Sequence, residues 1–208
     1  MIWPAAQQLS LPELEQSASF QNLRDSESMK HEARRKEYLA SRYLSLAVTS
    51  EAVQSSDYGE PLWPHPLKGS ITHKNGHVAL MVAQSDDPLG IDLEVCKTYS
   101  DGFDAKVMGQ DELDLIHQLP FGVSAIFSAK ESIYKAFFPL VRRKFWFDAA
   151  QLLNVAFADD HGILDFQITQ NLSLNVVAGR RVRVHAALQQ IEGKYYWLTY
   201  CSSGLCYR

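Results

Sequence analysis

The sequence predicts an α+β protein made of two similar halves, each running helix first and strands after, rather than a parallel βαβ sheet. Three observations predict it. Helical periodicity over residues 30–48 gives way to alternating, strand-like patterns up to Val95. A second helical block, from Asp104 to Phe138, is again followed only by strand patterns, ending at Cys201. The chain has 208 residues, 46% of them hydrophobic, so it can bury a core without disulfide or metal staples. The polar stretch Lys97 to Asp104 is the expected boundary, giving halves of 1–100 and 101–208.

In chain order, Lys30 to Val48 carries Ala33, Ala40, Tyr43, Leu44 and Ala47 on one face, with Ser28 as the expected N-cap. Gly59-Glu60-Pro61-Leu62-Trp63-Pro64-His65-Pro66-Leu67-Lys68-Gly69 is too rich in Pro and Gly for anything but an irregular loop. Ser70 to His73 and His77 to Ala83 read as strands joined by an Asn75-Gly76 turn. Asp86-Asp87-Pro88 turns the chain into a third strand, Leu89 to Val95. Asp104 to Leu119 reads as a helix with Asp111, Glu112 and Asp114 outward, ended by Pro120; Ser124 to Phe138 reads as another, stopped by Pro139. Leu152–Ala158, Leu164–Thr169, Leu172–Val177, Val182–Leu188 and Tyr195–Cys201 complete the expected strands.

Composition narrows the function. A formal charge of −4 disfavours a nucleic-acid binder, which needs a basic excess to release phosphate counterions, so any anionic ligand must be met by local charge. The longest apolar run, Val78 to Ala83, is far short of a bilayer span, so no transmembrane segment is expected. The opening residues lack the basic and apolar regions of a signal peptide, and Cys96, Cys201 and Cys206 show no CxxC or zinc spacing. A cytoplasmic location with reduced thiols is the expectation; at most Cys201 and Cys206 pair.

Two clusters bear chemistry. In Leu89 to Val95, alternation puts Asp92 and Glu94 on one face, either left in solvent at an edge or assembled around a cation that offsets their mutual repulsion. An oxygen-only donor set selects a hard ion such as Mg²⁺. In Phe127-Ser128-Ala129-Lys130-Glu131-Ser132-Ile133-Tyr134-Lys135-Ala136, helical spacing lines up Ser128, Glu131 and Lys135, either as an ordinary surface pair or beside a ligand. Lys30, Arg34, Arg35, Lys36 and Arg42 supply five of the 20 basic residues in the first helix.

Gly90-Ile91-Asp92-Leu93-Glu94 followed by Phe127-Ser128-Ala129-Lys130-Glu131-Ser132-Ile133-Tyr134-Lys135-Ala136 resembles the paired signature of the 4′-phosphopantetheinyl transferases. Upstream, Pro61-x-Trp63-Pro64 and Gly69-Ser70-Ile71-Thr72-His73 are similar to the enterobactin-synthase component D type, a siderophore branch of the surfactin-type group. The resemblance covers roughly residues 33 to 138. It implies a pseudo-twofold pair of α+β halves holding coenzyme A at their seam. It also implies Mg²⁺-dependent transfer of the phosphopantetheine arm from coenzyme A to a serine of an apo peptidyl or acyl carrier protein, releasing 3′,5′-ADP. By position, Asp92, Glu94 and Glu131 look like the Mg²⁺ ligands; Glu131 is the candidate base and Lys135 matches the lysine near the pyrophosphate. Arg34, Arg35, Arg42, Ser70, Thr72 and His73, with Asp92 and Lys135, fall at cofactor-binding positions, and Lys68 lies close by. For His73 the plain alternative is a neutral imidazole capping the Asn75-Gly76 turn.

Two departures stand out: Ser41 where the family commonly has Gly, and Glu60 before Pro61 where relatives often carry a basic residue. Phe138-Pro139-Leu140-Val141 and Phe145-Trp146-Phe147 flank Arg142-Arg143-Lys144, which reads as core or as a dock for an acidic carrier helix. A monomer is expected, since two halves in one chain make a dimer unnecessary. Open alternatives are a non-catalytic carrier-binding module and a coenzyme A pyrophosphatase. Retention of Asp92, Glu94, Glu131 and Lys135 together argues against the former.

Overall fold

A computed structural model describes residues 2–3 and 31–204. Ser28, the start of the first helix at Lys30, and Cys206 lie outside the described residues. The chain divides after Asp86 into two compact units, not at the expected 100/101 boundary. Strand 89–95 decides this, because it hydrogen-bonds along its length to the last strand of the second unit.

In the first unit, β1 (Ile2–Trp3) pairs with β5 (His77–Gln84), which pairs with β4 (Leu67–Lys74) in an antiparallel sheet. Helix α1 (Glu32–Ser45) packs on β4 and β5, and β2 (Gln54–Ser55) pairs with β3 (Pro61–Leu62). Tyr38, Leu39, Ala40, Leu44, Ala52, Val78 and Leu80 form the core. The helix stops at Ser45 rather than Val48 because Thr49 donates its hydroxyl to the Ser45 carbonyl at 2.7 Å, satisfying an end the helix would otherwise leave open. Asn75 and Gly76 turn the β4–β5 hairpin with φ of 50° and 80°, the positive values an Asn-Gly turn supplies. Gly69 lies under the Trp63 ring; a Cβ there would stand 2.4 Å from Trp63 Cε2, which ties the glycine and tryptophan of the upstream motif together physically.

In the second unit the sheet order is β6 (Leu89–Val95), β10 (Lys194–Ser202), β9 (Arg181–Ile191), β8 (His161–Ile168) and β7 (Ala150–Ala158), every pair antiparallel. Helices α2 (Asp104–Val107) and α3 (Gln110–Leu113) precede α4 (Gly122–Val141), which packs on β6, β10 and β9. The helix expected over 104–119 is broken because Met108 and Gly109 are extended, and a short 3₁₀ turn, Ile116–Gln118, follows α3. The break turns Glu112 inward, not outward: it is 4% exposed. Pro139 does not stop α4; it costs only one bond near the end, and the helix closes where Arg142, at φ 58°, donates its N–H to Phe138 O. Residues 172–177 form a tight turn bridged between Ser173 and Val176 instead of a strand.

Candidate functional site

Strand β6 and helix α4 build the candidate site of the second unit. Gly90, Asp92 and Glu94 share the face of β6 turned toward α4, and Gly90 sets the approach: a Cβ there would sit 1.9 Å from the Ser132 carbonyl oxygen. That close contact brings helix side chains onto Asp92. Ser128 Oγ donates to Asp92 Oδ2 at 2.9 Å, and Lys135 Nζ donates to Asp92 Oδ1 at 2.8 Å and to the Ile91 carbonyl at 3.0 Å. Asp92 and Glu94 are both buried, so neither is a solvent-edge acid. Glu94 meets Tyr99 Oη at 3.4 Å and Lys97 Nζ at 3.7 Å. Burial and the neighbouring Glu94 carboxylate push the Tyr99 phenol up to about 12 and the Cys96 thiol to about 12.

Behind this layer runs a hydroxyl network that sequence inspection missed. Thr199 Oγ1, contributed by β10 opposite Asp92, lies 2.9 Å from Ser128 Oγ and 2.6 Å from Ser132 Oγ. Ser124, Ser128 and Ser132 recur every four residues along α4. That spacing was the available signal for a polar seam; the partner strand was not legible.

Lys130, the unassigned member of the signature helix, is 3% exposed and pairs with Glu112 at 2.8 Å while donating to Val107 O at 2.9 Å. Glu112 in turn accepts from Leu152 N and Gly109 N, both at 2.7 Å. Burial pulls the Lys130 ammonium below its ordinary range, and the Glu112 carboxylate opposes that. The pair braces α4 against α2, α3 and β7. Next to it, Glu131 lines a cavity of about 250 Å³ with Tyr134, Phe145, Trp146 and Phe147. Trp146 is 74% exposed, so it is not core. Arg143 is turned away, donating to Leu172 O and Asn171 O.

The first unit carries a cavity of about 730 Å³ lined by Arg34, Tyr38, Ser41, Arg42, Ser55, Ile71 and His73, among others. Arg42 is 4% exposed; it donates to Ser55 Oγ at 2.7 Å and stacks over the Tyr38 ring at 4.6 Å. Its Nε is buried without a hydrogen-bond partner. His73 Nδ1 pairs with Glu37 Oε2 at 2.9 Å. Glu37 Oε1 accepts the Gly76 N–H at 2.9 Å, so Glu37 caps that turn. Arg35 and Lys68 are not among the lining residues, and Ser70 and Thr72 alternate to the other face of β4. Ser41 spends its hydroxyl on Tyr38 O at 2.6 Å.

Among the described residues no three His, Cys, Asp or Glu side chains are gathered closely enough to hold a metal ion. Asp92 and Glu94 come together on one strand face, whereas Glu131 faces the smaller cavity. The donor chemistry nonetheless fits a hard cation: two buried carboxylates on adjacent same-face positions, beside a lysine already placed to offset one of them. No helix among the described residues is long and apolar enough to cross a membrane.

One unit thus holds a buried arginine whose Nε has no hydrogen-bond partner, and the other a pair of buried acids, one of them matched by a lysine. The chain belongs to the 4′-phosphopantetheinyl transferase superfamily. The family model for the transferase N-terminal domain matches residues 26–83, and the model for the superfamily itself matches residues 88–184. The join between these matches falls where the chain divides. The 4′-phosphopantetheinyl transferase PptT of Mycobacterium tuberculosis is 31% identical over 131 residues, 57% of this chain and 58% of that protein. The transferase Npt of Nocardia iowensis is 31% identical over 132 residues, 58% of this chain and 60% of that one. Enterobactin synthase component D of Salmonella typhimurium is 33% identical over 115 residues, 50% of this chain and 48% of that one. The chain thus spans between about half and three fifths of the length of these relatives.

Proposed function

We propose that this chain transfers the 4′-phosphopantetheine arm of coenzyme A to a serine of an apo peptidyl or acyl carrier protein, releasing 3′,5′-ADP. The observation that carries the reading is the convergence of Lys135 and Ser128 on buried Asp92, beside Glu94, at the place the family signature occupies. The serine oxygen forms a bond to the phosphorus bearing the pantetheine arm, the bridging P–O bond breaks, and 3′,5′-ADP departs with that oxygen. Asp92 and Glu94 would hold Mg²⁺, which would supply charge neutralisation at the transferring phosphoryl group, while Glu131, the third expected ligand, lines the neighbouring cavity. Glu131 takes the serine proton, and Lys135 steadies the departing oxygen. Arg42, with Arg34 and His73 in the same cavity, binds the phosphates of coenzyme A, whereas Arg35, Ser70 and Thr72, expected to join them, lie outside that lining.

Exposed Trp146, with Phe145 and the cations Arg142 and Lys144, is the dock for the carrier. The similarity to enterobactin synthase component D favours carriers of siderophore or other non-ribosomal peptide synthesis; the reading keeps the expected monomer and cytoplasmic location. Intact-mass analysis of apo carriers incubated with the protein, coenzyme A and Mg²⁺ tests the proposal. A phosphopantetheine mass on a carrier is expected, and its absence from every peptidyl and acyl carrier tried overturns it. Free 4′-phosphopantetheine without a carrier would instead mark a pyrophosphatase. Carrier binding without any product would mark a binding module.

A further inference from the structure

The hydroxyls behind Asp92 form one connected chain that can run in a single direction. Ser128, Ser132 and Thr199 are each 0% exposed, so no water substitutes for a missing donor. Ser128 has one hydroxyl proton and donates it to Asp92 Oδ2 at 2.9 Å. With that proton on Asp92, Thr199 donates across its 2.9 Å contact to Ser128 Oγ. Ser132 then donates across its 2.6 Å contact to Thr199 Oγ1, sharing its proton with the Thr199 carbonyl at 2.9 Å. In this arrangement all three hydroxyls point one way, and the chain of donors ends on Asp92. A one-directional chain of this kind polarises each successive bond and fixes the last acceptor.

We infer that Thr199, together with Ser128 and Ser132, is a positioning residue that fixes the orientation of the Asp92 carboxylate for cation binding. The inference rests on the proposed role of Asp92 as a Mg²⁺ ligand. Ser128 anchors Oδ2, so rotation of the carboxylate is arrested and Oδ1, the oxygen Lys135 holds, keeps a single direction. Outer partners that orient a ligating carboxylate commonly govern metal affinity tenfold to a hundredfold. The device lies on two elements 71 residues apart in sequence, and the hydroxyl of Thr199 is the joint between helix and strand.

The test is Mn²⁺ titration of the full chain by calorimetry, without coenzyme A or carrier, alongside thermal unfolding. Ser128→Ala is expected to weaken Mn²⁺ binding roughly tenfold to a hundredfold, and Thr199→Val about tenfold. Thr199→Ser, which keeps the hydroxyl and loses the methyl, should bind within about twofold of the wild type. A packing role for Thr199 gives the reverse order, since Val fills the site and Ser leaves it short of a methyl. That reverse order, or wild-type affinity in Ser128→Ala, overturns the inference while leaving the proposed activity standing. Should Thr199→Val fail to fold, Ser132→Ala, at the donor end of the chain, is expected to weaken binding in the same direction; unchanged affinity there overturns the relay. Absence of Mn²⁺ binding by the wild type overturns the cation reading itself, and this inference with it.

Discussion

Replacing Gly90 by Ala perturbs the fold and the site through one contact. The added Cβ would meet the Ser132 carbonyl oxygen at 1.9 Å and the Ala136 nitrogen at 2.8 Å, whereas ordinary contact begins near 3.4 Å. Helix α4 must therefore retreat by about 1.5 Å at that point. The atoms struck are backbone, so no change of helix side chain relieves the clash. Overpacking of this kind costs about 1–3 kcal/mol. The retreat also stretches the Ser128 bond to Asp92 past hydrogen-bond length, and losing a bond to a charged group adds about 1.5–3 kcal/mol. A total near 4 kcal/mol corresponds to a fall in Tm of roughly 8–16 °C for a chain of this size. Lys135 can follow Asp92 on its flexible stem, whereas Ser128, with one side-chain torsion, cannot. Melting followed by circular dichroism is the assay, with Gly109→Ala as the control because its Cβ would meet nothing nearer than 3.9 Å. A Gly90→Ala melting point within about 2 °C of the wild type would refute the close-approach argument.

Lys130→Met leaves Glu112 buried without its cation and should cost about 3–5 kcal/mol in denaturant unfolding, while adding Glu112→Gln should recover part of the loss; no recovery in the double variant would count against the pair. Arg42→Lys replaces a planar fork by a point charge and should weaken 3′,5′-ADP binding about tenfold or more in calorimetry, so equal affinity would remove Arg42 from the phosphate site. Glu131→Gln is expected to lower turnover at least a hundredfold; near-normal turnover with Mg²⁺ still bound would require another base. The Cys96 thiol is raised from 9.0 to about 12 on folding, so the native state holds its proton longer than the unfolded chain. Its contribution is intact below pH 9 and is lost as pH climbs toward 12, and Cys96→Ala should flatten that alkaline decline in melting temperature. A decline of equal steepness in the variant would assign it elsewhere.

The hairpin at Asn75-Gly76, the strand around Asp92 and the helix carrying Glu131 and Lys135 were legible because each is announced by local chemistry. An Asn-Gly pair takes positive φ at both positions, alternation sorts one strand face from the other, and helical spacing lines up residues three and four apart. Glu112 was misread as outward because the same periodicity cannot register that Gly109 leaves the helical region and that the carboxylate then turns back to its N–H. Pro139 was misread as a stop because, near the end of a helix, the single bond it forfeits is cheap beside the packing of α4 on the sheet.

By itself the sequence determined the α+β class, the absence of a bilayer-length apolar run, and the residue types of the site: paired acids at alternate strand positions, and a glutamate and lysine four apart on a helix. Those are consequences of neighbours along the chain. Only the tertiary structure decided that the division falls after Asp86, that Lys135 and Ser128 take the two oxygens of Asp92, and that Thr199 joins Ser128 to Ser132. Nor does any pattern announce that Lys130 is spent on Glu112, or that Arg42 stacks on Tyr38 with its buried Nε lacking a hydrogen-bond partner. The physical reason is the same in each case: a buried polar group must find its partner in space, and sequence separation places no limit on where that partner comes from.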